Sequence, residues 1–104
     1  MANETYKLRY LPVFAQDLAQ TVNYITNVLK NPEAAEKLVN DVETAILERL
    51  NNPLAFEPYP SVKKRKYPYY RIYIRNYVVY YVVVGEVMEV RRFLYGARDT
   101  ERYL

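Results

Sequence analysis

The chain has 104 residues, 51% of them hydrophobic, enough for one domain with one core. It contains no Cys and no His, which excludes disulfides, thiolate nucleophiles, Cys-ligated metals and the commonest general base, and its 2 Gly leave no glycine-rich phosphate loop. The net charge of +3 is unevenly placed: residues 1–60 carry 5 Lys/Arg against 8 Asp/Glu, and residues 61–104 carry 10 against 4, so the second half suits a polyanion or an acidic partner.

Thr5 to Tyr10 alternates, with Tyr6, Leu8 and Tyr10 on one face and Lys7 and Arg9 on the other, which predicts a short strand ended by Pro12. Phe14, Leu18, Val22, Ile25 and Leu29 form the stripe of an amphipathic helix from Phe14 to Leu29. Asn31-Pro32-Glu33 then starts a second helix: Asn caps, Pro takes the first position and Glu suits the positive end. Its stripe is Ala35, Leu38, Val39, Val42, Ile46 and Leu50, and Asn52-Pro53 stops it. The short connection predicts an αα-hairpin.

Pro53, Pro58, Pro60 and Pro68 mark a loop without periodicity, which carries the cationic run Lys63 to Lys66. From Tyr69 the period becomes two, with Tyr70, Ile72 and Ile74 opposing Tyr69, Arg71, Tyr73 and Arg75. Arg75-Asn76 suits a turn. Tyr77 to Val84 is a nearly continuous apolar strand that fits a central position. Gly85-Glu86 is a hairpin turn of the glycine-first kind. In the last strand Met88, Val90, Arg92 and Leu94 alternate with Glu89, Arg91 and Phe93. The polar tail from Gly96 has room for a helical turn.

The order strand, helix, helix, strand, strand, strand predicts an α+β domain over residues 1–104, a β-α-α-β-β-β chain whose helical hairpin packs on one face of a mainly antiparallel sheet. The other sheet face is expected to be partly solvent-exposed and to carry Arg71, Tyr73, Arg75, Glu89 and Arg91. The longest apolar run is far short of the ~20 residues of a membrane span, and Met-Ala-Asn-Glu does not open a signal peptide. The expectation is a cytoplasmic protein without membrane contact, metal or cofactor.

This order, with a sheet rich in Tyr and Arg, resembles the RelE/ParE superfamily of toxins from type II toxin–antitoxin systems. The resemblance rests on Tyr6-Lys7-Leu8-Arg9-Tyr10, on Phe14…Asp17-Leu18…Tyr24-Ile25, on Tyr70-Arg71-Ile72, and on the close from Val90-Arg91-Arg92-Phe93-Leu94-Tyr95 to Gly96-Ala97-Arg98-Asp99. That close is similar to the ParE-type ending Leu-His-Gly-x-Arg-Asp, with Tyr95 in the place of His. RelE-like members cut mRNA in the ribosomal A site, and ParE-like members inhibit DNA gyrase. Val78 stands where RelE-like proteins usually have an Arg, and near Ala97 the only Arg is Arg98, so the chain looks nearer ParE.

The resemblance implies a toxin that inhibits DNA gyrase and is silenced by a cognate antitoxin, in a toxin–antitoxin hetero-oligomer. The alternative it implies is a ribosome-dependent mRNA endonuclease, acting on the 70S ribosome and mRNA through Arg71, Arg75, Arg98 and Tyr103. There, clustered cations would stabilise a phosphorane-like transition state and lower a nearby Tyr pKa. A third possibility is a non-toxic relic that only binds antitoxin. Candidates for contact with a target or nucleic acid are Lys63, Lys64, Arg65, Lys66, Tyr73, Arg91 and Asp99, each weighed against an ordinary solvated surface. Tyr70, Tyr80 and Tyr81 are expected in the core. Glu89 is expected to pair with an Arg across the sheet. The groove where the helix pair meets the sheet is expected to accept an antitoxin helix or strand.

Overall fold

The computed structural model describes residues 6–61, 63–96 and 100–104. Strand β1 (Lys7–Tyr10) leads into helix α1 (Pro12–Asn23), a π-helical turn (Tyr24–Val28) and helix α2 (Pro32–Leu50). Strands β2 (Tyr70–Ile74), β3 (Tyr77–Val84) and β4 (Val87–Tyr95) follow, then a 3₁₀ turn over Thr100–Arg102. The sheet order is β1-β4-β3-β2, with β1 parallel to β4 and the other pairings antiparallel. The predicted α+β order and the mainly antiparallel sheet are therefore both present.

The helix pair buries its stripe on one face of the sheet. Phe14, Leu38, Val42 and Ile46 meet Ile72, Ile74, Val79, Tyr81, Met88, Val90 and Phe93 in one apolar cluster. Helix α2 starts as its sequence dictates: the Asn31 side chain accepts a hydrogen bond from the Ala34 amide at 3.2 Å, and Pro32 opens the first turn. The Gly85 turn is also as expected, with φ +60 at its first residue and Val84 paired to Val87.

Three expectations about side-chain placement are corrected. First, helix α1 ends at Asn23, and the π-helical turn widens the coil by one residue per turn. Ile25 stays buried, but Leu29 is thrown outward and is 54% exposed. The chain then reverses at Lys30, which adopts φ +57. Second, a register shift between Tyr80 and Tyr81 sets Tyr80 against Arg92 and Tyr81 against Val90. This β-bulge leaves Arg91 as the extra residue and inverts the alternation beyond it. Phe93 enters the helix-side core, while Leu94 joins the opposite face.

Third, the opposite face is largely covered. Tyr69, Val78, Tyr80 and Val82 are buried there, with Tyr59 and Tyr67 of the proline-rich loop and Leu104 of the tail packed against them. The sheet is thus the middle layer between the helices and a loop-and-tail layer. Tyr80 and Tyr81, 1% and 0% exposed, are core residues of opposite layers.

Candidate functional site

The loop-and-tail face gathers most of the predicted site residues. Arg71 emerges from β2 with its guanidinium 5.2 Å from the Tyr59 ring and 5.6 Å from the Tyr73 ring, the spacing of cation–π contacts. It has no carboxylate partner among the described residues. Tyr73 is 63% exposed and Tyr103 is 48% exposed.

Several other cations of this face are tied into the fold. Arg91 Nε donates to Glu89 Oε1 at 2.7 Å, and its Nη1 donates to the Tyr69 hydroxyl at 3.3 Å. Arg9 Nε reaches the other oxygen of Glu89 at 2.9 Å. Burial works against the Glu89 charge, but the hydrogen bonds and charges of Arg91 and Arg9 outweigh it, so the carboxyl lies below its usual range. The expected cross-strand pairing of Glu89 is therefore present with Arg9, and Arg91 of the same strand adds a second partner.

The Lys63–Lys66 run is partly anchored to the tail. Lys63 Nζ donates to the Glu101 carbonyl at 3.2 Å, and Arg65 pairs with the Glu101 carboxylate at 3.2 Å. Arg65 also hydrogen-bonds Ser61, and its guanidinium lies 5.2 Å from the Tyr69 ring. Lys64 is exposed, and the Lys66 amine lies 5.5 Å from the Tyr67 ring. A small hollow of about 290 Å³ opens between Arg65, Lys66, Tyr69, Arg91 and Leu104.

Arg75 stands at the edge of this face, beside Tyr73, rather than within the cluster around Arg71. It occupies the β2–β3 turn with φ +54 and donates to Asp41 Oδ2 on α2 at 2.6 Å. That hydrogen bond is the chief cause of the lowered pKa of Asp41. Val78, in the place of a possible strand Arg, is buried beneath the loop and tail. Arg98 and Asp99 lie outside the described residues.

Tyr59 and Tyr80 both shift upward, chiefly through burial; Glu101 adds to the rise at Tyr59, and at Tyr80 the Thr100 hydrogen bond works against it. The charge of Arg71 pulls the other way at both and is outweighed. No group of acidic side chains among the described residues could hold a metal ion.

Two anchors were not foreseen in the sequence. Asp17 of α1 binds Arg92 through both carboxylate oxygens, at 2.8 and 2.9 Å, and accepts the Phe93 amide at 3.0 Å. Strand β1 pairs with β4 only as far as Val90, which leaves the Phe93 amide for a side chain to satisfy. Arg92 then donates to the Tyr103 carbonyl at 3.1 Å, so α1, β4 and the tail are joined. The second anchor is Arg49. Its Nη1 donates to the Arg71 carbonyl at 3.0 Å and the Tyr81 hydroxyl at 2.9 Å, and its guanidinium stacks 3.6 Å from the Phe56 ring centroid. Asp17 stood in the motif Phe14…Asp17-Leu18, the only signal that could have drawn attention to it.

On the helix side, an apolar groove of about 380 Å³ runs between α1 and α2, lined by Tyr10, Phe14, Leu18, Val22, Val42 and Ile46. It reaches the sheet edge at Tyr10 of β1. No helix among the described residues is long and apolar enough to cross a membrane.

Comparison with known proteins agrees with this geometry. The family model for the ParE toxin of the type II toxin–antitoxin system parDE matches residues 8–100. A solved structure of the chromosomal ParDE TA system from P. aeruginosa contains a similar chain, with a TM-score of 0.73 and 18% identity over 89% of this chain and 98% of that one. At that identity the likeness is one of fold. A search of curated proteins gives no match.

Proposed function

This chain belongs to the ParE toxin family of type II toxin–antitoxin systems, and from that premise we propose that it inhibits DNA gyrase by binding it. The observation that carries binding over catalysis is the separation of the candidate nuclease cations. Arg71 stands between tyrosine rings on the loop-and-tail face, while Arg75 is turned to Asp41 on α2. Transition-state stabilisation needs donors converging on one phosphoryl group, and these two guanidiniums are held by different partners. The burial of Val78 points the same way.

A cognate antitoxin silences the toxin, in a hetero-oligomer. The groove between α1 and α2 suits an apolar segment of that partner, since its walls are Phe14, Leu18, Val22, Val42 and Ile46. Arg71 and Tyr73 are offered to the target, because Arg71 has no carboxylate partner among the described residues and Tyr73 beside it is exposed.

The test is a supercoiling assay with purified gyrase and relaxed plasmid, run beside translating ribosomes. Supercoiling should stop and mRNA should remain whole. Intact supercoiling with mRNA cut in the A site would overturn the proposal and move the function to the endonuclease class, where Arg71→Ala should abolish cutting. Neither effect, with no growth defect on induction, would leave only antitoxin binding.

A further inference from the structure

Two hollows meet at the end of the sheet where the π-helical turn faces the β2–β3 turn. The first, about 580 Å³, is walled by Tyr24, Tyr77 and Tyr95 and edged by Gln20, Thr21 and Asn76. The second, about 260 Å³, lies across Asn76 and Tyr95 and adds Tyr73 and Arg75. We propose that this tyrosine trough binds unpaired nucleobases, one in each hollow, on either side of Tyr95.

The rings have faces to offer. Tyr24, Tyr73 and Tyr95 are 51%, 63% and 66% exposed, well beyond what an aromatic packed into a core would show. Clustered exposed aromatics mark binding surfaces rather than accidents of packing. The floor is rigid: Tyr77 stacks on Phe93 at 4.9 Å between centroids and meets Tyr95 edge-on at 5.3 Å. The Gly96 amide donates to the Asn76 carbonyl at 2.8 Å and fixes the wall between the hollows. The π-helical turn opens at Tyr24, on the wall of the first hollow, and such turns recur at functional sites.

The chemistry selects the ligand class. Every side chain named around the first hollow is neutral, so a carboxylate or phosphate finds no counter-charge inside it. Gln and Asn side chains match the paired donor and acceptor of a base edge, and tyrosine faces stack on any base. The volume of the first hollow lies within the range of small-molecule sites. Arg75, on the second hollow, stands where a backbone phosphate would pass, with guanidinium donors beyond the one given to Asp41. A duplex, whose bases are already stacked, does not fit.

The test is fluorescence anisotropy with labelled 8-nucleotide single strands, with the same sequence as duplex and with AMP as competitors. The single strand should bind and the duplex should compete poorly. Tyr24→Ala and Tyr95→Ser should each weaken binding roughly five-fold or more, the range for loss of one stacking partner. Tyr95→Phe, which keeps the ring, should retain it. Lys7→Ala, which removes one cation on the far strand β1, should leave it unchanged. If AMP alone saturates the site with the same sensitivity to Tyr95→Ser, the base comes from a free nucleotide rather than a strand. No binding of either probe, equal competition by duplex, or equal losses in Lys7→Ala and Tyr95→Ser would overturn the proposal. The three tyrosine variants change exposed rings, and unaltered thermal melting confirms that any loss is one of binding. The supercoiling assay reads gyrase inhibition separately.

Discussion

Asp17→Ala should destabilise the fold more than the same truncation of the half-exposed Asp41, which pairs with Arg75 at the surface. The Asp17 and Arg92 side chains are only 13% and 18% exposed, so the pair behaves more like a buried than a surface bridge. Removing one partner of a buried pair costs about 3–5 kcal/mol, because the remaining charge keeps its desolvation without compensation. Arg92 retains the Tyr103 carbonyl and some access to water, which lowers that figure to about 2–3 kcal/mol. The Phe93 amide also loses its acceptor, which adds about 1 kcal/mol. The expected total is about 3–4 kcal/mol, against the ~5–15 kcal/mol stability of an ordinary domain.

Urea unfolding followed by circular dichroism measures this directly. The midpoint should fall with little change in slope, and the melting temperature should drop by about 12–30 °C. Asp17→Asn, which keeps one acceptor oxygen, should fall between wild type and Asp17→Ala. Because Arg92 acts through Asp17, the double variant Asp17→Ala/Arg92→Ala should be less destabilised than the sum of its singles by at least ~1 kcal/mol. A loss under ~1 kcal/mol in Asp17→Ala, or strict additivity in the cycle, would refute this account of the anchor.

Tyr81→Phe removes a buried hydroxyl that accepts from Arg49 and donates to the Pro53 carbonyl at 2.7 Å, so a loss of about 1–3 kcal/mol in urea unfolding is expected. Arg75 sits at φ +54, so Arg75→Gly should be about 1 kcal/mol more stable than Arg75→Ala in the same assay, since both lose Asp41 but only Gly sheds the left-handed strain. The carboxyl of Glu89 is depressed below its reference value of 4.5, so its contribution is complete above that pH and is lost as the pH falls through the folded-state pKa. Glu89→Gln should therefore lower stability at neutral pH and flatten the fall between roughly pH 5 and the acid limit, as a series of melts will read.

The element order was legible because each element has an unbroken period long enough to read. The stripe Ala35, Leu38, Val42 and Ile46 sits where a 3.6-residue repeat places it, and Asn31-Pro32 starts the helix. Tyr70, Ile72 and Ile74 likewise keep a strict alternation, and all three are buried. The partly legible feature was the site. Arg71 and Tyr73 were correctly placed on the outer face, but its cover was not visible, because the proline-rich loop and the tail have no period. Their attachment rests on pairs such as Arg65–Glu101, 36 residues apart, and Tyr69–Leu104, 35 residues apart.

The two departures from regular phase share one physical cause. A π-helical turn and a β-bulge each insert one residue into a regular ladder. An insertion leaves the composition of a segment unchanged and rotates everything after it. The π-helical turn moves Leu29 out of the core and onto the hollow that Tyr24, Tyr77 and Tyr95 line. The bulge at Tyr80/Tyr81 sends Arg91 toward Glu89 and Tyr69 while Arg92 reaches Asp17 and the tail, two neighbours given to different layers. A strictly alternating β4 would have placed Phe93 on the outer face and left the helix-side core without it. The insertions are thus what allow one short sheet to serve two layers, holding most of its cations in internal pairs and leaving rings exposed at one end.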